Sequence, residues 1–312
     1  LVRRYNFEYT NLNNESSLSA LSKIKYIGSD NSSMLHQIMF SYYQPTSSYG
    51  NSTTFNMSSL FGAFNAGDLG VRLVDLNNDG YIDIIKGRGG NGEKKTWLNN
   101  KTVWNETSEF VLPEYFTDGS DLDKGLRIAD LNNDGLADLI QGIGAQKRAW
   151  LNNGSGWGLE DAITWAPPIV FVVFVDPNWV DEGVQLVDFN GDGKVDLLKA
   201  KDGAAKKAYL NTGNGWKDMS SEWSAPANFV KSDGSDFGAR PVDVNGDGLV
   251  DIVQGYNFGT ETKNVWLNNG SGWVSSSAWS MPTVFTSSSK ADTGARLVDV
   301  NGDGLIDILE DF

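Results

Sequence analysis

The stretch Asp75-Leu-Asn-Asn-Asp-Gly-Tyr-Ile-Asp83 opens like the loop of a helix–loop–helix calcium site. Such a loop places oxygen ligands at positions 1, 3 and 5, a glycine at 6 and a bidentate glutamate at 12. Asp75, Asn77, Asp79 and Gly80 satisfy the first half, but position 12 is Lys86, a cation, and an acid comes early, at position 9, as Asp83. A glutamate at 12 needs a helix to carry it back over the ion. The residues that follow, "YIDIIKG", are β-branched and apolar with no helical period, so the chain leaves this loop as a strand.

The stretch recurs. "DLNNDGLAD" occupies 130–138, "DFNGDGKVD" 188–196, "DVNGDGLVD" 243–251 and "DVNGDGLID" 299–307, with first-Asp spacings of 55, 58, 55 and 56. The remainder of the unit repeats with it. "TWLNN" (96–100), "AWLNN" (149–153), "AYLNT" (208–212) and "VWLNN" (265–269) follow each of the first four loops. Seven residues past each aromatic comes Trp104, Trp157, Trp216 or Trp273, and then Phe110, Trp165, Trp223 or Trp279 ahead of a proline. Each unit reads as four short strands, "GVRLVD", "YIDIIKG", "KKTWLNN" and "SEFVLP" in the first, with the Asp/Asn loop joining strands one and two. Four short strands at a period near 55 predict an all-β fold, a β-propeller of four-stranded blades.

With a strand after the loop, the ligands must be compact. The expected set in each loop is the side chains at positions 1, 3, 5 and 9 and the carbonyl at 7. In the first loop these are Asp75, Asn77, Asp79, Tyr81 and Asp83; in the second, Asp130, Asn132, Asp134, Leu136 and Asp138; in the third, Asp188, Asn190, Asp192, Lys194 and Asp196. The fourth supplies Asp243, Asn245, Asp247, Leu249 and Asp251, and the fifth Asp299, Asn301, Asp303, Leu305 and Asp307. All-oxygen donors on a flexible loop select Ca²⁺ over zinc and magnesium. About five structural Ca²⁺ are therefore expected. The alternative is an Asx turn held by its own side-chain to backbone hydrogen bonds.

Composition narrows the rest. The chain of 312 residues carries a net charge of −15, the wrong sign for a nucleic-acid surface. It has no cysteine, hence no disulfide or thiolate metal site, and a single histidine, His36, too few for a multi-histidine centre. No signal peptide is visible, and the longest apolar run, "IVFVVFV" (169–175), is too short to span a bilayer. The abrupt ends, "LVRRY" and "ILEDF", are those expected of a piece of a longer protein. Eight N-x-S/T sequons permit glycosylation without requiring it.

The D-x-N-x-D-G-x-x-D pattern between strands resembles the FG-GAP/VCBS repeats of integrin α-chain-like β-propellers. Its coupling to "WLNNGSGW" is similar to repeats of bacterial toxin-complex B components and Rhs-type surface proteins. The N-terminal "VRRYNFEYTN", "LSALSKIKYIGSD" and "HQIMFSYY" resemble the segment that leads into those repeats. The resemblance implies a calcium-binding propeller in a secreted or surface protein; only "FGAF" (61–64) faintly resembles the FG-GAP signature itself, so integrin-type ligand binding is not implied.

Residues 70–312 are expected to hold the repeats, with four complete units and a fifth that stops after two strands. Residues 1–69, with strand-like runs at "YNFEYT", "SKIKYIG", "HQIMFSYY" and "TTFNMSS", are expected to form a degenerate blade or to supply closing strands. Six blade positions are favoured over five. Arg72, Arg127, Arg240 and Arg296 precede four of the loops by three residues, and Gln185 takes that place before the third. They form either an anion-binding ring near the channel or ion pairs with neighbouring blades' acids. Trp97, Trp150 and Trp266 are expected in the core; Trp104, Trp157, Trp216 and Trp273 are expected to be more exposed, which keeps a sugar-stacking rim open. Residues 166–183 depart from their counterparts and read as a doubly buried strand or a docking surface for another domain.

The expected function is binding: adhesion, or scaffolding inside a larger extracellular protein, with a protein or glycan ligand or docked flanking domains of the parent chain as partner. A lectin, and a toxin-complex-like component or hydrolase-associated domain, are the alternatives. An enzyme is not expected. Were it one, an unrepeated carboxylate such as Asp176 or Glu182 would carry the reaction.

Overall fold

The computed structural model describes residues 4–11, 19–27, 34–39, 68–160 and 164–310. Contacts divide the chain into two units, Leu1–Thr53 and Thr54–Phe312. In the first, β1 (Arg4–Asn11), β2 (Ser19–Ile27) and β3 (Met34–Met39) form an antiparallel sheet in that order. Three of the strand-like runs read from the sequence fall on these strands; "TTFNMSS" and "FGAF" lie outside the described residues. His36 pairs through its backbone with Tyr26.

In the second unit the repeat becomes a series of antiparallel sheets. The first is β4 (Val71–Val74), β5 (Asp83–Arg88), β6 (Glu93–Asn99) and β7 (Trp104–Thr107). The second is β8 (Leu126–Ala129), β9 (Asp138–Ile143), β10 (Gln146–Asn152) and β11 (Trp157–Glu160), to which the hairpin β12 (Val172–Val175) and β13 (Asn178–Asp181) is added. The third is β14 (Val184–Val187), β15 (Asp196–Lys199), β16 (Lys207–Asn211) and β17 (Trp216–Asp218), and the fourth β18 (Ala239–Val242), β19 (Asp251–Asn257), β20 (Glu261–Asn268) and β21 (Trp273–Ser275). The fifth has β22 (Arg296–Val298) and β23 (Asp307–Leu309) alone. The described residues contain no helix and do not trace a closed ring.

One strand differs from the sequence reading. The fourth strand of the first sheet is Trp104–Thr107, antiparallel to β6, and not "SEFVLP". Phe110 and Leu112 of that run are buried instead in the core between units. Their apolar character reflects packing of a connector, which period alone does not separate from a strand.

Among the described residues the core forms four clusters, each shared by consecutive sheets. One joins Leu76 and Ile85 to Leu126, Leu139 and Trp150 through Phe110, Leu112 and Phe116 of the connector; the next joins Leu131 and Ile140 to Val184 and Leu197 through Trp165 and Phe171. Each cluster gathers apolar side chains that one twisted sheet cannot bury alone, which ties unit to unit. The aromatic series completes this packing. Phe110 meets Trp157 edge-on at 6.0 Å, Trp165 meets Trp216 at 6.3 Å and Trp223 meets Trp273 at 5.1 Å. In each pair the first ring belongs to one unit and the second to the next. Trp157, Trp216 and Trp273, expected to be exposed, are therefore half-buried inter-unit contacts. Trp150 is buried as expected, whereas Trp97 and Trp266 are only partly so.

Candidate functional site: five Asp/Asn loops

Each loop starts where the first strand of its sheet ends. Positions 4 and 6 both take left-handed backbone conformations: Asn78 and Gly80 at φ 57° and 84°, Asn133 and Gly135 at 61° and 86°, Gly191 and Gly193 at 76° and 84°. Gly246/Gly248 and Gly302/Gly304 repeat the pattern. Asn and Gly are the residues that tolerate this region, which explains why position 4 is only ever one or the other. The two reversals fold the loop around its own first carboxylate. The Gly80 N–H donates to Asp75 Oδ2 at 2.8 Å, and the other four loops make the same bond at 2.7–2.9 Å.

Position 2 anchors the loop from below. Leu76, Leu131 and Phe189 are fully buried. Their N–H groups donate to Asp83, Asp138 and Asp196 Oδ2, at 3.0, 2.9 and 3.3 Å. The other oxygen of the position-9 carboxylate accepts the N–H of the asparagine that ends the third strand, Asn99, Asn152, Asn211 or Asn268, at 2.7 Å each. Asp83, Asp138, Asp196 and Asp251 are thus fully buried. Burial, and then the neighbouring position-5 and position-1 carboxylates, push them up, Asp138 to about 6 and Asp196 to about 7.

The asparagine also reaches into the preceding unit. Asn152 Nδ2 donates to Leu76 O at 2.7 Å, Asn211 Nδ2 to Leu131 O at 2.8 Å and Asn268 Nδ2 to Phe189 O at 2.9 Å. The loops are therefore coupled in series through position 2. The repeated "LN" of the third strand was visible in the sequence, but a contact across nearly 80 residues was not.

The residues fit a divalent, oxygen-preferring ion in kind and in order. Carboxylates stand at 1, 5 and 9, an amide oxygen at 3, and the position-7 carbonyl accepts no hydrogen bond from the described residues in any of the five loops. The position-9 acid is buried on two backbone N–H donors beside the other loop carboxylates, a placement whose negative charge a divalent cation would offset. In this structure the side chains are closed as Asx turns. Asn77 Oδ1 accepts the Asp79 N–H at 3.2 Å, and Asn77 Nδ2 donates to Asp79 Oδ2 at 3.1 Å. Among the described residues no group of three or more acidic or histidine side chains converges as a metal centre. The third loop differs: Lys194 Nζ sits on Asp192 Oδ2 at 3.0 Å.

The arginines before the loops resolve into ion pairs. Arg72 takes Asp68 with two bonds, 3.0 and 2.7 Å; Arg127 takes Asp123, Arg240 Asp236 and Arg296 Asp292 in the same way. The partner is thus an acid of the same repeat, four residues upstream, rather than one from a neighbouring blade. The signal was present as D-x-G-x-R at 68–72, 123–127, 236–240 and 292–296. The intervening glycine has φ of 66–71° in the first three of these and 86° in the last, and in all four it donates its N–H to the same carboxylate.

Residues 166–183 are not a doubly buried strand. Phe171 and Val172 are buried, and β12 and β13 then project as a hairpin whose tip exposes Phe174 (55%) and Val175 (57%). Trp179 lies between Phe174 and the Lys124 ammonium. Asp176 is exposed at the tip, and Glu182 is held by Lys199 and Lys201 at 2.5 and 2.6 Å, so neither offers an acid pair.

Repeated antiparallel sheets, each with an Asp/Asn loop between its first two strands, define a β-repeat protein built of blade-like units. An FG-GAP-like repeat profile matches residues 75–141, 188–254 and 243–310, more than half of the chain, and the chain belongs to that family. No match was found among curated proteins. Solved structures with similar chains include an Agrocybe aegerita lectin that recognises non-reducing terminal N-acetylglucosamine, at 20% identity and TM-score 0.49 over 76% of this chain and 59% of the lectin. A Photorhabdus luminescens Tc holotoxin pore matches at 16% identity and TM-score 0.37, over 98% of this chain and 16% of that one. The V. cholerae biofilm matrix protein Bap1 matches at 16% and 0.31, over 76% and 33%. The chain spans less than two thirds of each. No helix among the described residues is long and apolar enough to cross a membrane.

Proposed function

We propose that this chain is a calcium-stabilised binding and scaffolding domain of a larger secreted or cell-surface protein, its units closing into a propeller of five or six blades. The observation that carries the reading is the fivefold recurrence of one oxygen-only loop with left-handed turns at positions 4 and 6 and an unengaged carbonyl at 7. In each loop the side chains at positions 1, 3, 5 and 9 and that carbonyl hold one Ca²⁺. The ion supplies charge compensation, offsetting ten of the fifteen net negative charges over five sites. The chain's own residues do the rest. Position 2 pins the first three loops to the core, the asparagines Asn152, Asn211 and Asn268 tie those loops to the next unit, and the loops present a rigid face. Calcium concentrations outside cells suit such sites, and a chain without disulfides gains its loop rigidity from the metal. The partner is a protein or a glycan.

The test is stoichiometry. Calorimetric titration of metal-free protein with Ca²⁺ is expected to give five ions, and Asp188→Ala four, since each loop carries its own ligands. An unchanged count in the variant would overturn the ligand assignment.

A further inference from the structure

The repeat contains its own template for holding a guanidinium. In the first, second and fourth repeats, an aspartate grips the arginine edge-on with two hydrogen bonds, and a buried phenylalanine from the next connector lies under its face. Arg72 stands 4.9 Å from the Phe116 ring centre, Arg127 5.9 Å from Phe171 and Arg240 5.1 Å from Phe285. The third repeat keeps the aspartate, Asp181, the glycine, Gly183, and the phenylalanine, Phe229, but puts Gln185 where the arginine would be.

Gln185 does not replace what it displaces. Asp181 accepts the Gly183 N–H at 2.7 Å on Oδ1, and neither its Oδ2 nor the Gln185 carboxamide has a hydrogen-bond partner among the described residues. Asp181, Gln185 and Phe229 line one cavity of about 360 Å³ together with Asp236 and Arg240. The cations nearby are committed: Arg127 to Asp123, Arg240 to Asp236, and Lys201 to Glu182. Burial pushes the Asp181 carboxyl up, the reverse of Asp68 and Asp236, which have their arginines. The same connector carries the β12–β13 hairpin, so two departures from the repeat fall on one site.

We propose that Asp181, Gln185 and Phe229 form a binding site for one guanidinium group, either free or as the arginine side chain of another chain, which completes the cradle that the other repeats fill themselves. Planar bidentate recognition of this kind selects guanidinium over ammonium. The site lies at the opposite end of β14 from the third loop, and its standing does not depend on calcium.

The experiment is calorimetric titration of the full chain with N-acetyl-arginine methylamide, whose only charge is the guanidinium. One saturable site is expected, with the neutral N-acetyl-citrulline methylamide at least about tenfold weaker. Asp181→Asn is expected to lose the site. Gln185→Arg is expected to fill the cradle from within, abolishing binding while raising the melting temperature, which shows that the loss is not unfolding. Binding that survives both substitutions, the absence of saturable heat, or equal affinity for capped lysine would overturn the assignment. A short peptide with a central arginine separates the two sources. Tighter binding than the capped amino acid marks the side chain of another chain; equal binding marks the free group.

Discussion

Lys194 sets the third loop apart from the other four. Position 7 is expected to act through its carbonyl, so its side chain is free to vary, and here it varies to an ammonium that sits on the position-5 carboxylate. In the other loops that oxygen accepts the position-3 amide instead. An internal cation competes with an external one. Lys194→Leu is therefore expected to tighten one calcium site by roughly fivefold, the worth of a partly exposed ion pair, and to leave the rest unchanged. Site-resolved calcium titration checks it. The order of side-chain oxygens at positions 1, 3, 5 and 9 was legible in the sequence. The burial of the position-9 acid was not, since it follows from backbone N–H groups on the adjacent connection and on the third strand.

At the scale of elements, the third-strand asparagine joins neighbouring units. Asn211 is fully buried and its Nδ2 donates to Leu131 O of the preceding unit, whereas Nδ2 of Asn99, the first in the series, donates to Ile82 O of its own loop, at an exposed contact. Asn211→Ala leaves a buried carbonyl without its donor and is expected to cost about 1–3 kcal/mol in denaturant unfolding; Asn99→Ala is expected to cost markedly less. The turns that precede the first strands respond to acid. Burial raises Asp236, but its hydrogen bonds and ion pair with Arg240 more than reverse this and hold it below the ordinary 3.8; at Asp292 the bond to Arg296 is the leading cause of the same direction. A carboxyl lowered on folding stabilises the folded state above its unfolded value, and that stability is lost as pH falls through the folded one. Melting temperature is therefore expected to drop below about pH 4, and Asp236→Asn is expected to lower it at neutral pH while flattening that acid slope. The strands beside the loops were legible from β-branched residues and spacing. The fourth strand was misplaced because Phe110 and Leu112 carry the apolarity while Trp104–Thr107 carries the hydrogen bonds.

At the scale of the molecule, the five motifs and their period were sufficient to read an all-β repeat, and the family match agrees. Two things were hidden. The hairpin at 172–181 grows from a connector that elsewhere is a short turn, and an apolar run such as "IVFVVFV" gives no sign that its first half is buried and its tip exposed. The inter-unit aromatic pairs were likewise unreadable, because Trp157, Trp216 and Trp273 follow glycine-containing turns that suggest exposure. The central claim, that these loops are built around calcium, is tested most directly by melting the full chain in millimolar calcium, in magnesium and in chelator. A large fall in melting temperature on chelation, restored by calcium and not by magnesium, is the expected result. Superimposable curves would contradict the claim and show that the Asx-turn hydrogen bonds hold the loops unaided.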